Sequence, residues 1–101
     1  MRHKLFLLLT LSFFSCVAFS QKEANPQLAA LFNNFYEDNL KLSPLTATSI
    51  GDNRYNDQLP IMFTEGYRQQ LKAFYAKYLA AINGFNRGRL NTNDQLSYDV
   101  F

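Results

Sequence analysis

Leu28, Leu31, Phe32, Phe35, Tyr36 and Leu40 recur at steps of three and four residues, and this spacing constrains the fold more than any other feature. Such steps place all six side chains on one face of a helix, whereas a strand needs alternation at period two, which no segment shows. Asn25-Pro26 ahead of the stripe supplies a cap and a first-turn proline, so the spacing predicts a helix from about Pro26 to Lys41. Ser43-Pro44 repeats that start signal for a short helix from Leu45 to Ile50, and Gly51 sits where a left-handed C-terminal cap would fall. Asp52 to Pro60 is polar, turn-rich and reads as a loop. Thr64 opens the longest helix, with an apolar face of Tyr67, Leu71, Phe74, Tyr75, Tyr78, Leu79 and Ile82, and Asn83-Gly84 ends it. Arg68, Lys72 and Lys77 fall to its sides as a solvated face. After a connector from Phe85 to Leu90, Thr92 or Asn93 caps a last helix beginning near Asp94, with Leu96 and Val100 inward. The expected fold class is all-α, with three to four helices after a leader. A tetratricopeptide-type repeat is excluded, because Pro44 has no counterpart 34 residues on.

The leader is the strongest local signal. Met1-Arg-His-Lys4 is a basic start, and Leu5 to Phe19 is an uncharged apolar run of 15 residues. That run is short of the roughly 20 residues a spanning helix needs. Ala18-Phe19-Ser20 places small side chains where a signal peptidase reads them, so residues 1–20 read as a signal cleaved between Ser20 and Gln21. Lipoprotein processing at Cys16 is the rival, disfavoured by the bulky Phe13-Phe14 before it. The mature chain is expected in an exported location, periplasmic or secreted, with no membrane span.

Removing the leader changes the chemistry available. Residues 21–101 keep six Phe and six Tyr, too many aromatics for a disordered tail. Without Arg2 and Lys4, eight basic residues face eight acidic ones, and that neutrality argues against a nucleic-acid partner. The single Cys and single His, Cys16 and His3, both leave with the signal. The remainder therefore has no thiol or imidazole for catalysis, zinc or a disulfide. Glu37-Asp38, or Asp52 with Asp57, would be the carboxylates for a hard cation, but Asp-x-Arg-x-x-Asp lacks the ligand series of a calcium loop. No Gly-x-Ser-x-Gly turn and no glycine-rich phosphate loop occurs. The residues predict no catalytic site, no metal site and no cofactor in this chain.

The most unusual string runs from Pro44 to Asp57 and contains Gly51, Asp52, Arg54, Tyr55 and Asp57. As a structural loop, Asp52 accepts backbone hydrogen bonds beyond Gly51 and Arg54 pairs with Asp52 or Asp57. As a cleft loop, Arg54 and Tyr55 would project toward a ligand groove built with other parts of a larger protein.

At this string the chain resembles the domain of unknown function 885 family of exported bacterial proteins. The resemblance rests on Phe35-Tyr36, Leu42-Ser-Pro-x-x-Ala-Thr48, Gly51-Asp-x-Arg-Tyr-x-Asp57, Leu59 and Pro60, and resumes at Asp94-Gln-Leu-Ser-Tyr-Asp99. It implies a much longer, mostly helical protein that looks like a zinc metallopeptidase, with a His-Glu-x-x-His motif far downstream. None of those zinc positions lies in this chain, so the resemblance transfers no catalytic or metal residue. It implies instead that residues 21–101 are an N-terminal helical segment, truncated at the C-terminus, inactive by itself and partnered by the missing C-terminal part of the same protein. The competing expectation is a small secreted helical binding module, complete as it stands. Under the truncated reading, Tyr67, Phe74, Tyr78 and Phe101 are expected to lack partners.

Overall fold

The computed structural model describes residues 22–101. The leader, Cys16 and the predicted cleavage site at Ser20 and Gln21 lie outside those residues. Among the described residues the regular elements are all helical: α1 Pro26–Leu42, α2 Pro44–Ser49, α3 Glu65–Ile82 and α4 Thr92–Val100. Single 3-10 turns occupy Asn53–Tyr55 in the loop and Arg87–Arg89 in the connector. No helix among them is long and apolar enough to cross a membrane.

Two of the start signals act as their chemistry dictates. The Asn25 side chain accepts from the Leu28 N–H at 3.0 Å, and Thr64 Oγ1 accepts from the Tyr67 N–H at 3.2 Å. Gly51, at φ 84°, closes α2 with the Asp52 N–H donating to the Ala47 carbonyl and the Gly51 N–H to that of Thr48. A Cβ at Gly51 would meet nothing within 4 Å, so backbone conformation alone demands glycine there.

The other two differ from expectation. Ser43 makes no side-chain cap. Its N–H donates to the Asn39 carbonyl at 2.9 Å, so this one residue ends α1 while Pro44 starts α2. Helix α4 begins earlier than expected because Asn91, not Thr92 or Asn93, accepts from the Asp94 N–H at 2.8 Å.

Helices α1 and α3 form an antiparallel hairpin. At one end Leu28, Ile82 and Leu90 make a buried cluster against which Leu31, Phe32, Phe85 and Tyr98 pack. In the middle Phe35 lies 5.0 Å from Phe74 and 5.1 Å from Tyr78, ring centre to ring centre. At the other end the Tyr67 hydroxyl donates to the Leu42 carbonyl at 3.2 Å. Phe74 and Tyr78 are thus buried against partners within this chain, and Tyr67 has one too, contrary to the truncated-chain expectation.

The α3 seam runs through residues 67, 71, 74, 78 and 82, at steps of three and four. Tyr75 and Leu79 stand one residue further round, about 100° away, and are exposed. Tyr36 is likewise half exposed on α1.

Helix α4 inverts its predicted orientation. Leu96 and Val100 point outward at 65% and 79% exposure, while Asn91, Asp94, Gln95 and Tyr98 face the hairpin. The cause is polar. Asp94 Oδ2 accepts from the Asn25 N–H at 2.7 Å, and Gln95 Nε2 donates to the Arg87 and Leu90 carbonyls at 3.1 Å each. The Arg87 carbonyl also accepts from the Leu90 N–H, but the Asn25 N–H and the Leu90 carbonyl take their partners from α4.

Candidate functional site

The string singled out in the sequence folds as a pinned loop. Thr48 Oγ1, with one proton to give, lies 2.7 Å from Asn56 Oδ1 and 3.1 Å from the Pro44 carbonyl, closing α2 onto the loop. Asp52 Oδ1 accepts from the Arg54 N–H at 3.1 Å, the local turn expected of an aspartate after a C-cap glycine. The guanidinium folds back on the same carboxylate, Nε at 3.0 Å and Nη2 at 2.6 Å. Its outer edge reaches α1, where Nη1 donates to Glu37 Oε2 at 2.8 Å. One face stands 5.4 Å over the Tyr55 ring. Hydrogen bonds from Arg54 hold the Asp52 carboxyl below the usual carboxylate range, and Asp52 then Glu37 hold the guanidinium firmly protonated.

Glu37 rather than Asp57 supplies the second carboxylate; Asp57 is exposed. Gly51, Asp52, Arg54 and Tyr55 do come together, but Arg54 turns its donors onto protein carboxylates rather than toward a groove. The arrangement therefore fastens the α2 loop to α1.

A second polar group lies next to it along α1. Asp38 Oδ2 accepts from the Tyr78 hydroxyl at 2.7 Å and from Lys77 Nζ at 2.9 Å, and Oδ1 accepts from Lys41 Nζ at 3.0 Å. The Tyr78 hydrogen bond, followed by those of the two lysines, drives the Asp38 carboxyl far below its ordinary range. Burial, followed by the bond to Asp38, raises the Tyr78 phenol. The sequence pattern sets Lys77 on a solvated face and offers Glu37-Asp38 as a pair for a hard cation. In the fold these neighbouring carboxylates serve different cations, Arg54 and the lysines. Among the described residues no three His, Cys, Asp or Glu side chains gather where an ion could sit.

Among the described residues a sizeable apolar recess lies between α1 and α4. Phe32, Phe35 and Tyr36 of α1 and Leu96, Val100 and Phe101 at α4 line a groove of about 600 Å³, with no charged residue in its wall. Phe101 rests on Phe32 and Phe35 at 5.1 and 4.8 Å between ring centres and forms its floor. Hydrophobic periodicity, which sets Leu96 and Val100 inward, hides this groove; Tyr36, at i+4 from Phe32, is the sequence signal that marks it. A further apolar run, Leu59 to Phe63, lies exposed on the long loop, with Phe63 at 93%. A smaller recess of about 250 Å³ beside it, edged by Lys41, Gln58, Tyr67 and Gln70, carries no buried polar group aimed into it.

Compared with known proteins, the chain matches no protein-family model, and neither a curated protein nor a solved structure was found to be similar to it.

Proposed function

We propose that residues 21–101 form the N-terminal helical segment of an exported, zinc-dependent hydrolase- or peptidase-like protein. In that role the segment does no chemistry itself. It packs against the remainder of the same protein and borders the cleft in which a downstream zinc site works. The observation that carries this reading is the α1–α4 groove, an uncharged aromatic recess with half-exposed and exposed side chains around its floor. Apolar surface of this kind gains by being covered. Zinc belongs to the longer protein in this reading, since the segment itself has no mature His or Cys.

Reading the coding DNA onward from the Phe101 codon tests it. A continuation with a His-Glu-x-x-His motif several hundred codons on is the expected result. A stop codon with no such motif nearby overturns the proposal.

A second reading has its own support. Phe35, Phe74 and Tyr78 close on one another without outside help, as they would in a small secreted binding module that folds by itself. The two readings part on dye binding and melting of residues 21–101. An independent module melts in one cooperative step and leaves a hydrophobic dye dark, whereas a severed segment binds the dye and melts broadly.

A further inference from the structure

The connection between α2 and α3 has two unlike halves. From Ile50 to Gln58 the main chain is tied down at short intervals. The N–H groups of Ile50, Gly51, Asp52, Arg54, Asn56 and Gln58 all donate within the loop or back to α2. Beyond Gln58 this stops. Leu59, Ile61, Met62 and Phe63 donate their N–H groups to no described residue, and Pro60 has none to give. The Thr64 N–H reaches back to the Ile61 carbonyl at 3.4 Å, a long bond, and the Thr64 hydroxyl does so at 3.0 Å. The most exposed side chains of this half are Leu59, Ile61 and Phe63, at 75%, 70% and 93%. They stand at every second position, which in an extended chain puts them on one face.

The unpaired N–H groups decide what can cover this run. A lipid surface offers them no acceptor and would leave each one unsatisfied. A cleft that adds the segment as a strand supplies carbonyls to its main chain and pockets to alternate side chains. An endopeptidase cleft does both, and an unpaired main chain at an exposed loop is where such an enzyme can cut. We propose that the run from Ile61 to Thr64 is a cleavage site for an endopeptidase that selects a large apolar side chain. Phe63 is the residue read, and Phe63–Thr64 is the bond cut. Water adds across that bond, leaving a carboxylate on Phe63 and an amine on Thr64. The aromatics of α1, α3 and α4 are protected by helical main chain, and Tyr55 by its 3-10 turn. Phe85 is held against the Leu28 cluster. The cut leaves the fold closed. Phe35 with Phe74 and Tyr78, Asp38 with Tyr78, and Leu28 with Ile82 and Leu90 all join residues on opposite sides of it. The product is a nicked, two-piece form of the same hairpin.

The test exposes the full 101-residue chain to a trace of chymotrypsin, whose apolar pocket takes large side chains. Mass spectrometry identifies the first cut within residues 22–101. Cleavage after Phe63 is expected to be at least about tenfold faster than after any other Phe or Tyr there, because cleavage follows the population in which a bond is open. The two pieces are expected to elute together from a sizing column and to part only in denaturant. Phe63→Asp alters an almost fully exposed side chain and should lower cleavage of this loop about tenfold. A first cut elsewhere in residues 22–101, or an unchanged loop rate in Phe63→Asp, would overturn the assignment. A parallel reaction contains vesicles of a zwitterionic phospholipid, and an unchanged loop rate is expected. Protection of the loop by those vesicles would give it to a lipid surface and overturn the assignment as well.

Discussion

Along its α3 side, α1 sets Phe35 against Phe74 and Tyr78 and hangs Asp38 on the Tyr78 hydroxyl and Lys77. Along its α4 side, the same helix offers Phe32, Phe35 and Tyr36 to a groove whose opposite wall turns Leu96 and Val100 to solvent. Aromatic content does not separate the two sides. What separates them is where the polar partners sit. On the α3 side Asp38 and Tyr78 meet at the edge of the aromatic contact, so the hydrogen bond and the ring packing favour the same helix rotation. On the α4 side the turn presents the Asn25 N–H and the Leu90 carbonyl, and satisfying them rotates Asp94 and Gln95 inward. Leaving the part-buried Asn25 N–H and Leu90 carbonyl without partners would cost about 1–3 kcal/mol each. That is comparable with the roughly 1.5–3 kcal/mol gained by fully burying a Leu or Val, so the polar contacts offset the two exposed side chains.

The largest effect should come from breaking the closed side. Phe74→Ala removes a buried ring shared by Phe35 and Tyr78 and should cost about 3–5 kcal/mol. A chain of this size rarely gains more than about 3–5 kcal/mol from its core. Residues 21–101 carrying this change should therefore lose most of their helical signal at lower urea than the unaltered segment does. If the variant unfolds with an unchanged midpoint, the α1–α3 seam is not the core of the isolated segment.

Tyr78→Phe isolates the polar half of the same contact. The ring stays and the bond to Asp38 goes, at an expected cost of about 1.5–3 kcal/mol for a hydrogen bond to a charged group. It should also alter the acid response. The Asp38 carboxyl titrates lower in the fold than in the unfolded chain, where about 3.9 is ordinary. Its contribution is thus present in full above that value and is lost as pH falls toward the depressed one. Urea midpoints between about pH 7 and pH 2.5 should fall less steeply in Tyr78→Phe than in wild type. Parallel curves would remove Asp38 from the account.

Arg54→Ala compares the loop with the hairpin. The guanidinium is half exposed, so global stability should move little. The amides of Asp52 to Asn56 should exchange with solvent several-fold faster while those of α3 stay as they were. Uniform acceleration would mean that the Arg54–Glu37 contact supports the whole hairpin rather than the loop.

The difference between the two sides also marks what the sequence could disclose. The helices were legible because their signals are local: Asn25-Pro26, Thr64 and Gly51 act within four residues of themselves. Ser43-Pro44 likewise marked the start of α2, although the Ser43 side chain makes no cap bond there. The Arg54 pin was half legible. Asp52 is its neighbour, whereas Glu37 is 17 residues away and identifiable only once α1 and the loop are side by side. Asp38 with Tyr78, 40 residues apart, left no local trace at all. The facing of α4 was misread because hydrophobic periodicity ranks side chains and is silent about main-chain groups elsewhere that need a partner.

Val100→Lys is the gentlest probe and tests the open side. Val100 is 79% exposed and sits in the last turn of α4, where a cation suits the helix dipole. In residues 21–101 the change should shift stability by no more than about 0.5 kcal/mol, as surface substitutions do. It should nevertheless lower hydrophobic-dye fluorescence, because it places a charge on the groove wall. In a longer protein that covers the groove, the same lysine would be buried without a partner, and the cost should rise to several kcal/mol. A small effect in both contexts would mean that the groove stays open to solvent in the longer protein too. A large effect in the short chain would mean that copies of it already cover one another.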